Sequence, residues 1–408
     1  MKKKYKPLLA WMAVAICTVS IFFTVTIARA IQNFVSETWS RSLFGYAVLF
    51  CTAAALFSTF YIFIFKLKIR SALNYIVLAA TAGAYTYFTL QLWETPEEAI
   101  HFLEYGLLGF LLFSALKFRT KDKFISISAF LIGCLIGTFD EILQWAVPDR
   151  YWDFRDVGLN ALSSGLFQFA LALGIRPPII SQKVRFRSVK KASALLAANI
   201  ILLGLCFSNT PARVSSYTRT FPFLSFLLRE EAMNQFNKKH EDPEIGVFYS
   251  RLTIPNLLRE DSERASEYGQ ILAEWEDRDY AEFLRNYTGI WAPFLHEMRV
   301  HVYRRDKRFE RALQSEDDNI RDRDLFIAYK ENLILEKYFG NTLKESPYLW
   351  DEKTRLSAED SVDTTAPYRS PVSATLFSPK SEKDLWIGIL FFLALLLTVN
   401  GLLSRWIA

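Results

Sequence analysis

Apolar residues crowd into eight stretches of the chain, near 8–30, 44–65, 72–93, 100–117, 124–147, 157–175, 191–208 and 385–404. Runs of about 17–25 such residues are long enough to cross a hydrocarbon layer as helices. From 209 to 383 the pattern changes. There, in "DRDYAEFLRNYTGIWAPFLHEMRVHVYRRDKRFERAL" and "DRDLFIAYKENLILEKYFG", apolar residues return every three or four positions between charges, the period of a helix with one buried face. The prediction is an all-α fold: a polytopic transmembrane helical bundle of about eight spans, with a mostly helical extracytoplasmic domain inserted between spans seven and eight. Its divisions are 1–43, 44–175, 176–208, 209–383 and 384–408. The stretch 351–383, rich in Ser, Thr, Pro and charge, reads as a tether into the last span.

Charge sharpens this picture. Residues 209–383 hold 26 Lys and Arg against 31 Asp and Glu, while the remainder holds 22 against 12, so the basic excess belongs to the apolar part. It is concentrated in "MKKKYK", "KLKIR" at 66–70, "KFRTKDK" at 117–123 and "RPPIISQKVRFRSVKK" at 176–191, which follow every second span. Short basic loops stay cytoplasmic, so both termini are expected inside and 209–383 outside. A rival reading treats residues 1–30, ending in "ARA", as a cleaved signal peptide. Basic residues flanking apolar runs fit membrane orientation better than phosphate contacts, and no nucleic-acid partner is expected. All four cysteines (Cys17, Cys51, Cys134, Cys206) lie in apolar runs and imply no disulfide framework.

Ionisable residues inside three spans break the apolar pattern. Glu97, His101 and Glu104 share one helical face near the start of the fourth; Asp140, Glu141 and Gln144 lie near the end of the fifth; Asp156, Asn160 and Ser163 form a stripe at the start of the sixth. All three sets are expected at one depth. Charged groups in a bilayer face the bundle interior or water and pair there, so the stripes are expected to converge on an outward-facing polar pocket. Arg150 and Arg155, on the short loop above, are the expected counter-ions, with Tyr151 and Trp152 at headgroup level. A structural clamp of the three helices and a proton relay are alternatives. His101, Glu104, Asp140 and Glu141 have ligand chemistry for zinc or manganese, but helix spacing alone builds no site, and no metal or cofactor is expected.

The order of these residues carries a resemblance. An acid stands four positions before a histidine (Glu97, His101), with Tyr105 one turn on. Later come Glu141, Gln144, Pro148, Arg150, Asp153, Asp156 and Asn160. Over residues 44–175 this resembles the VanZ-like membrane protein family, named for a teicoplanin-resistance protein. The resemblance implies an integral bacterial inner-membrane protein connected with the cell envelope and glycopeptide tolerance, and no particular reaction. Two positions depart from the pattern: Glu98 stands where Lys is common, and Ser163 where Gly is usual, which implies more negative local charge and a looser helix contact.

The inserted region adds little chemistry. His296 and His301 in "HEMRVH" are five apart, about 140° around a helix, and do not suit one ion. Arg299, Arg304, Arg305, Lys307 and Arg308 read as a solvated or ion-paired face, and "NYT" at Asn286 as a chance sequon. Gly-rich phosphate loops and nucleophile elbows are missing from the sequence. Three functions follow: a pocket binding a membrane lipid headgroup or cell-wall precursor; an intramembrane enzyme with His101 or Glu141 as base and Arg150 steadying an anion; or a scaffold that binds an envelope protein through 209–383.

Overall fold

The computed structural model describes residues 5–147, 150, 152–181, 183–228, 232–360, 362–374 and 381–407. Pro148 and Tyr151 of the expected motif and loop, and residues 1–4 of the basic leader, lie outside the described residues. Each apolar run becomes a helix: α1 (Lys6–Thr38), α2 (Ser42–Tyr61), α3 (Ala72–Gln91), α4 (Ile100–Leu116), α5 (Phe124–Trp145), α6 (Phe154–Phe169), α7 (Phe186–Phe207) and, near the C-terminus, α16 (Glu382–Ile407). The chain divides into two compact units, Met1–Leu205 with Trp386–Ala408, and Cys206–Leu385.

Among the described residues, seven helices are long and apolar enough to cross a membrane, one fewer than the eight expected. The exception is α3, whose Asn74, Gln91, tyrosines and threonines dilute its apolar content. Its packing nevertheless follows a span. Asn74 Nδ2 donates to the carbonyl of Gly174 (2.6 Å), in the π-helical continuation of α6 (Ala170–Ile175), and Tyr85 OH to that of Ser163 (2.7 Å), so α3 runs antiparallel to α6 and its continuation with the same number of residues between the two bonds on each side.

Other contacts fix the directions of the core. Ser163 Oγ donates to Phe102 O and Gln168 Nε2 to Gly109 O, which makes α4 and α6 parallel. Asn160 lies on Gly137, and Ser164 on Gly133, which makes α5 and α6 antiparallel. Glycine is needed at 137 for this approach, since a Cβ there would lie 2.8 Å from the Cβ of Asn160. Small residues at such crossings let helix backbones close up in lipid, where hydrophobic burial gives no drive. Ser163 is therefore a tie between helices rather than a loosening. Helix α1 packs Val14 and Ile21 against Tyr105, Leu108 and Leu112 of α4.

The second unit is mostly helical, with α8 (Pro211–Thr220), α9 (Ile254–Glu263), α10 (Ala265–Glu274), α11 (Tyr280–Asn286), α12 (Pro293–Gln314), α13 (Asp318–Tyr338), α14 (Gly340–Lys344) and α15 (Glu352–Asp360). It also holds an unexpected antiparallel hairpin, β1 (Lys238–Asp242) with β2 (Gly246–Ser250). Gly246 sits at φ +107°, against the backbone of Tyr368, a place no side chain fits. Phe248, Phe294, Met298, Val302, Leu335 and Phe339 form its core.

The expected tether is partly structure. Val247 exchanges backbone bonds with Tyr368 and Ser370, and both of those side chains hydrogen-bond the buried carboxylate of Glu331. The basic run is partly ion-paired: Arg304 bonds Glu331, Arg308 bonds Asp324, and buried Arg305 bonds Asp306, Asn332 and the Tyr348 carbonyl, whereas Arg299 is buried over the Tyr280, Phe283 and Tyr348 rings. His296 and His301 have separate partners, the Tyr287 carbonyl and Glu331.

Candidate functional site

Two helix starts and one helix end meet in the first unit. The chain enters α4 through a 3-10 turn, Pro96–Ala99, which turns Glu97 and Glu98 toward His101 and Glu104 one turn later. Helix α5 brings Asp140 to within five residues of its end, about 7–8 Å along the axis. Helix α6 starts with Asp153 as its cap, the carboxylate accepting the Arg155 N–H at 2.6 Å, and so presents Asp156 in its first turn.

Between them lies a cavity of about 330 Å³. Glu97, Glu98, His101, Glu104, Asp140, Gln144, Arg150 and Asp156 form its polar wall. Helix α1 closes the other side with Thr24, Ala28, Arg29 and Gln32. The part played by α1 has no counterpart in the expected motif; the signal for it is the polar set Thr24, Arg29 and Gln32 late in an otherwise apolar run.

Behind the wall the polar groups are buried and partly paired. Tyr105 OH donates to Asp140 Oδ2 at 3.1 Å. Glu141, with no exposed surface, accepts at Oε1 from Gln144 Nε2 (2.9 Å) and Asn160 Nδ2 (3.4 Å). Arg150 donates to Gln144 Oε1. Other polar atoms are buried without a hydrogen-bond partner among the described residues, including His101 Nδ1, Asp140 Oδ1, Glu141 Oε2 and Asp156 Oδ1. A buried polar atom left unpaired costs roughly 1–3 kcal/mol, so these atoms call for water or a ligand as partners.

The expected residues thus divide. Glu97, His101, Glu104, Asp140, Gln144, Arg150 and Asp156 line the cavity; Tyr105, Glu141 and Asn160 stand behind it; Asp153 caps a helix instead. The counter-ions also differ from expectation. Arg155 pairs with Glu98 (2.6 Å), and Arg41, between α1 and α2, pairs with Glu97. Glu98 therefore does not leave an uncompensated charge.

Comparison with known proteins gives one match. Residues 8–174 fit the VanZ/LLP1 family model, and no curated protein or solved structure matches the chain. The match runs from α1 through α6 and takes in the α1 wall of the cavity that the motif-based range 44–175 left out; over that part the chain is similar to VanZ-like proteins, and the match does not reach Cys206–Leu385.

Proposed function

We propose that this chain is a multi-pass protein of the bacterial inner membrane whose cavity receives the polar headgroup of an envelope lipid or lipid-linked wall precursor. Residues 209–383 stand on the extracytoplasmic side in this reading, and both termini in the cytoplasm. The observation that carries it is a polar cavity inside an apolar bundle, at the small end of the range for ligand sites and of a size for a headgroup.

The chemistry supports an amphiphile. Arg29 and Arg150 on the wall suit a phosphate, while Glu104 and Asp140 suit an ammonium group or sugar hydroxyls. Leu8, Ile16, Val19 and Phe23 of α1 are exposed and apolar, as a lipid-facing surface requires. The orientation draws support from basic residues at helix ends far from the cavity, Lys66 and Arg70, Lys117 and Lys123, Arg176 and Lys191. VanZ-like proteins are connected with glycopeptide resistance, an envelope phenotype.

Native mass spectrometry of the purified full chain tests the reading. A phospholipid or lipid-linked glycan should co-purify with the wild type and fall away in Arg150→Ala and in Glu104→Gln. The same lipids at the same occupancy in both variants would overturn it.

A further inference from the structure

We infer that His101, Glu141 and Asp156 form a site for a divalent transition-metal ion, zinc or manganese, at the inner wall of the cavity. The inference rests on the cavity but not on what fills it. One ligand atom from each residue, on α4, α5 and α6 respectively, lies within 4.8 Å of the other two. The centre of such a triangle is at most about 2.8 Å from each corner. Metal–N and metal–O bonds are about 2.0–2.2 Å, so each ligand must draw in by less than about 1 Å, within reach of side-chain rotation.

Three further observations point to an ion. The first is unfilled valence: Glu141 is fully buried with Oε2 unpartnered among the described residues, Asp156 Oδ1 is unpartnered there too, and His101 Nδ1 makes no hydrogen bond there, with Glu104 Oε2 3.7 Å away. The second is the support behind the ligands. The other Glu141 oxygen is held by Gln144 and Asn160, with Gln144 braced by Arg150, as outer-shell hydrogen bonds orient a metal-bound carboxylate.

The third is charge. With Arg41 on Glu97 and Arg155 on Glu98, the other arginines on the cavity wall among the described residues are Arg29 and Arg150, beside the carboxyls of Glu104, Asp140 and Asp156 and with Glu141 behind them. In their ionised forms these four carboxylates outnumber the two arginines, and one divalent cation would offset the difference. Three protein ligands with one side open to the cavity is the arrangement of a zinc ion that still accepts water or an anionic oxygen. The imidazole favours zinc or manganese over magnesium or calcium, which prefer all-oxygen sites. The set differs from the one suggested by spacing: Asp156 replaces Glu104 and Asp140.

The test is equilibrium dialysis of the full chain in detergent against Zn²⁺ or Mn²⁺ alone, with bound metal measured by mass spectrometry. One ion per chain is expected, removable by chelator. His101→Ala and Asp156→Asn should abolish stoichiometric binding, and Asn160→Ala, which leaves the ligands in place, should weaken it about 10–100-fold. Should a variant fail to fold, Co²⁺ added to the wild type provides an independent readout: absorption bands of a histidine-carboxylate site are expected, and their absence counts against the proposal. No bound metal in the wild type, or undiminished metal in folded His101→Ala and Asp156→Asn, overturns it. Loss of metal without loss of co-purifying lipid leaves the headgroup reading intact, and the converse result separates the two the other way.

Discussion

The substitution Gly137→Ala alters the site without touching any polar group. An added Cβ would lie 2.8 Å from Asn160 Cβ, whereas carbon atoms in contact prefer about 3.5–4.0 Å. Helices α5 and α6 must therefore part by about 0.7–1.2 Å. The Asn160 Nδ2 to Glu141 Oε1 bond is already 3.4 Å long, and such a shift takes it beyond hydrogen-bond range. Overpacking costs about 1–3 kcal/mol, while replacing Gly by Ala inside a helix returns up to about 1 kcal/mol. Overpacking wins, with a net loss of about 1–2 kcal/mol.

For a bundle of this size that corresponds to a Tm lower by about 2–8 °C, with metal affinity reduced about tenfold through the lost support of Glu141. Gly83→Ala on α3 is the control, because nothing lies within 4 Å of a Cβ there. Thermal unfolding in detergent followed by metal titration reads both effects. A Gly137→Ala protein as stable as the Gly83→Ala control would refute the close helix contact as the source of the site's geometry.

Two other expectations concern the second unit. Burial, reinforced by the nearby Arg251 guanidinium and only partly opposed by the Tyr287 carbonyl, holds His296 down at about 4. A depressed folded-state value means the stabilisation is complete above the ordinary histidine range near pH 6.5 and is lost as pH falls toward 4, on the order of 3 kcal/mol; denaturant unfolding at pH 7.5 and 4 should show a smaller loss in His296→Gln than in the wild type, and equal losses would refute this. In a cysteine-free chain, a cysteine placed at exposed Ser262 should react with an impermeant maleimide in intact spheroplasts, and one at exposed Lys121 only after permeabilisation. The reverse pattern would invert the proposed orientation.

Much of the membrane unit was legible because its causes are local. Apolar length makes the helices, and the i, i+4, i+7 spacing of Glu97, His101 and Glu104 puts them on one face. Pairings that depend on distant packing were not: Arg41 reaches Glu97, while Arg150, nearer in sequence to the carboxylates, goes to Gln144. Arg29 and Gln32 on α1 look like the tail of a leader until α4 is placed against them. In the second unit "KKHEDPEIGVFYS" is too short for period-two alternation to stand out, and the turn is marked only by Asp242-Pro243, whose Asp242 carboxylate accepts the Glu244 and Ile245 N–H groups, and by Gly246 just after it. Composition misread residues 363–374, since Ser370 and Tyr368 are polar or hydroxylated yet serve a buried carboxylate, Glu331. Burial opposes charge on that group, but His301, Tyr368 and Arg304 still keep its carboxyl below the usual range.

The matched register of α3 and α6 decides the parity of the chain's crossings. A helix of 20 residues is about 30 Å long, the thickness of the hydrocarbon layer, so α3 has the length to cross beside its neighbour. Counted as a crossing, as the proposed topology has it, α3 would make the passages even in number and return the last helix, α16 (Glu382–Ile407), to the compartment where α1 began. Setting it aside would place those two ends on opposite faces. In the proposed topology, a helix held by one asparagine and one tyrosine thus sets which compartment receives the tail.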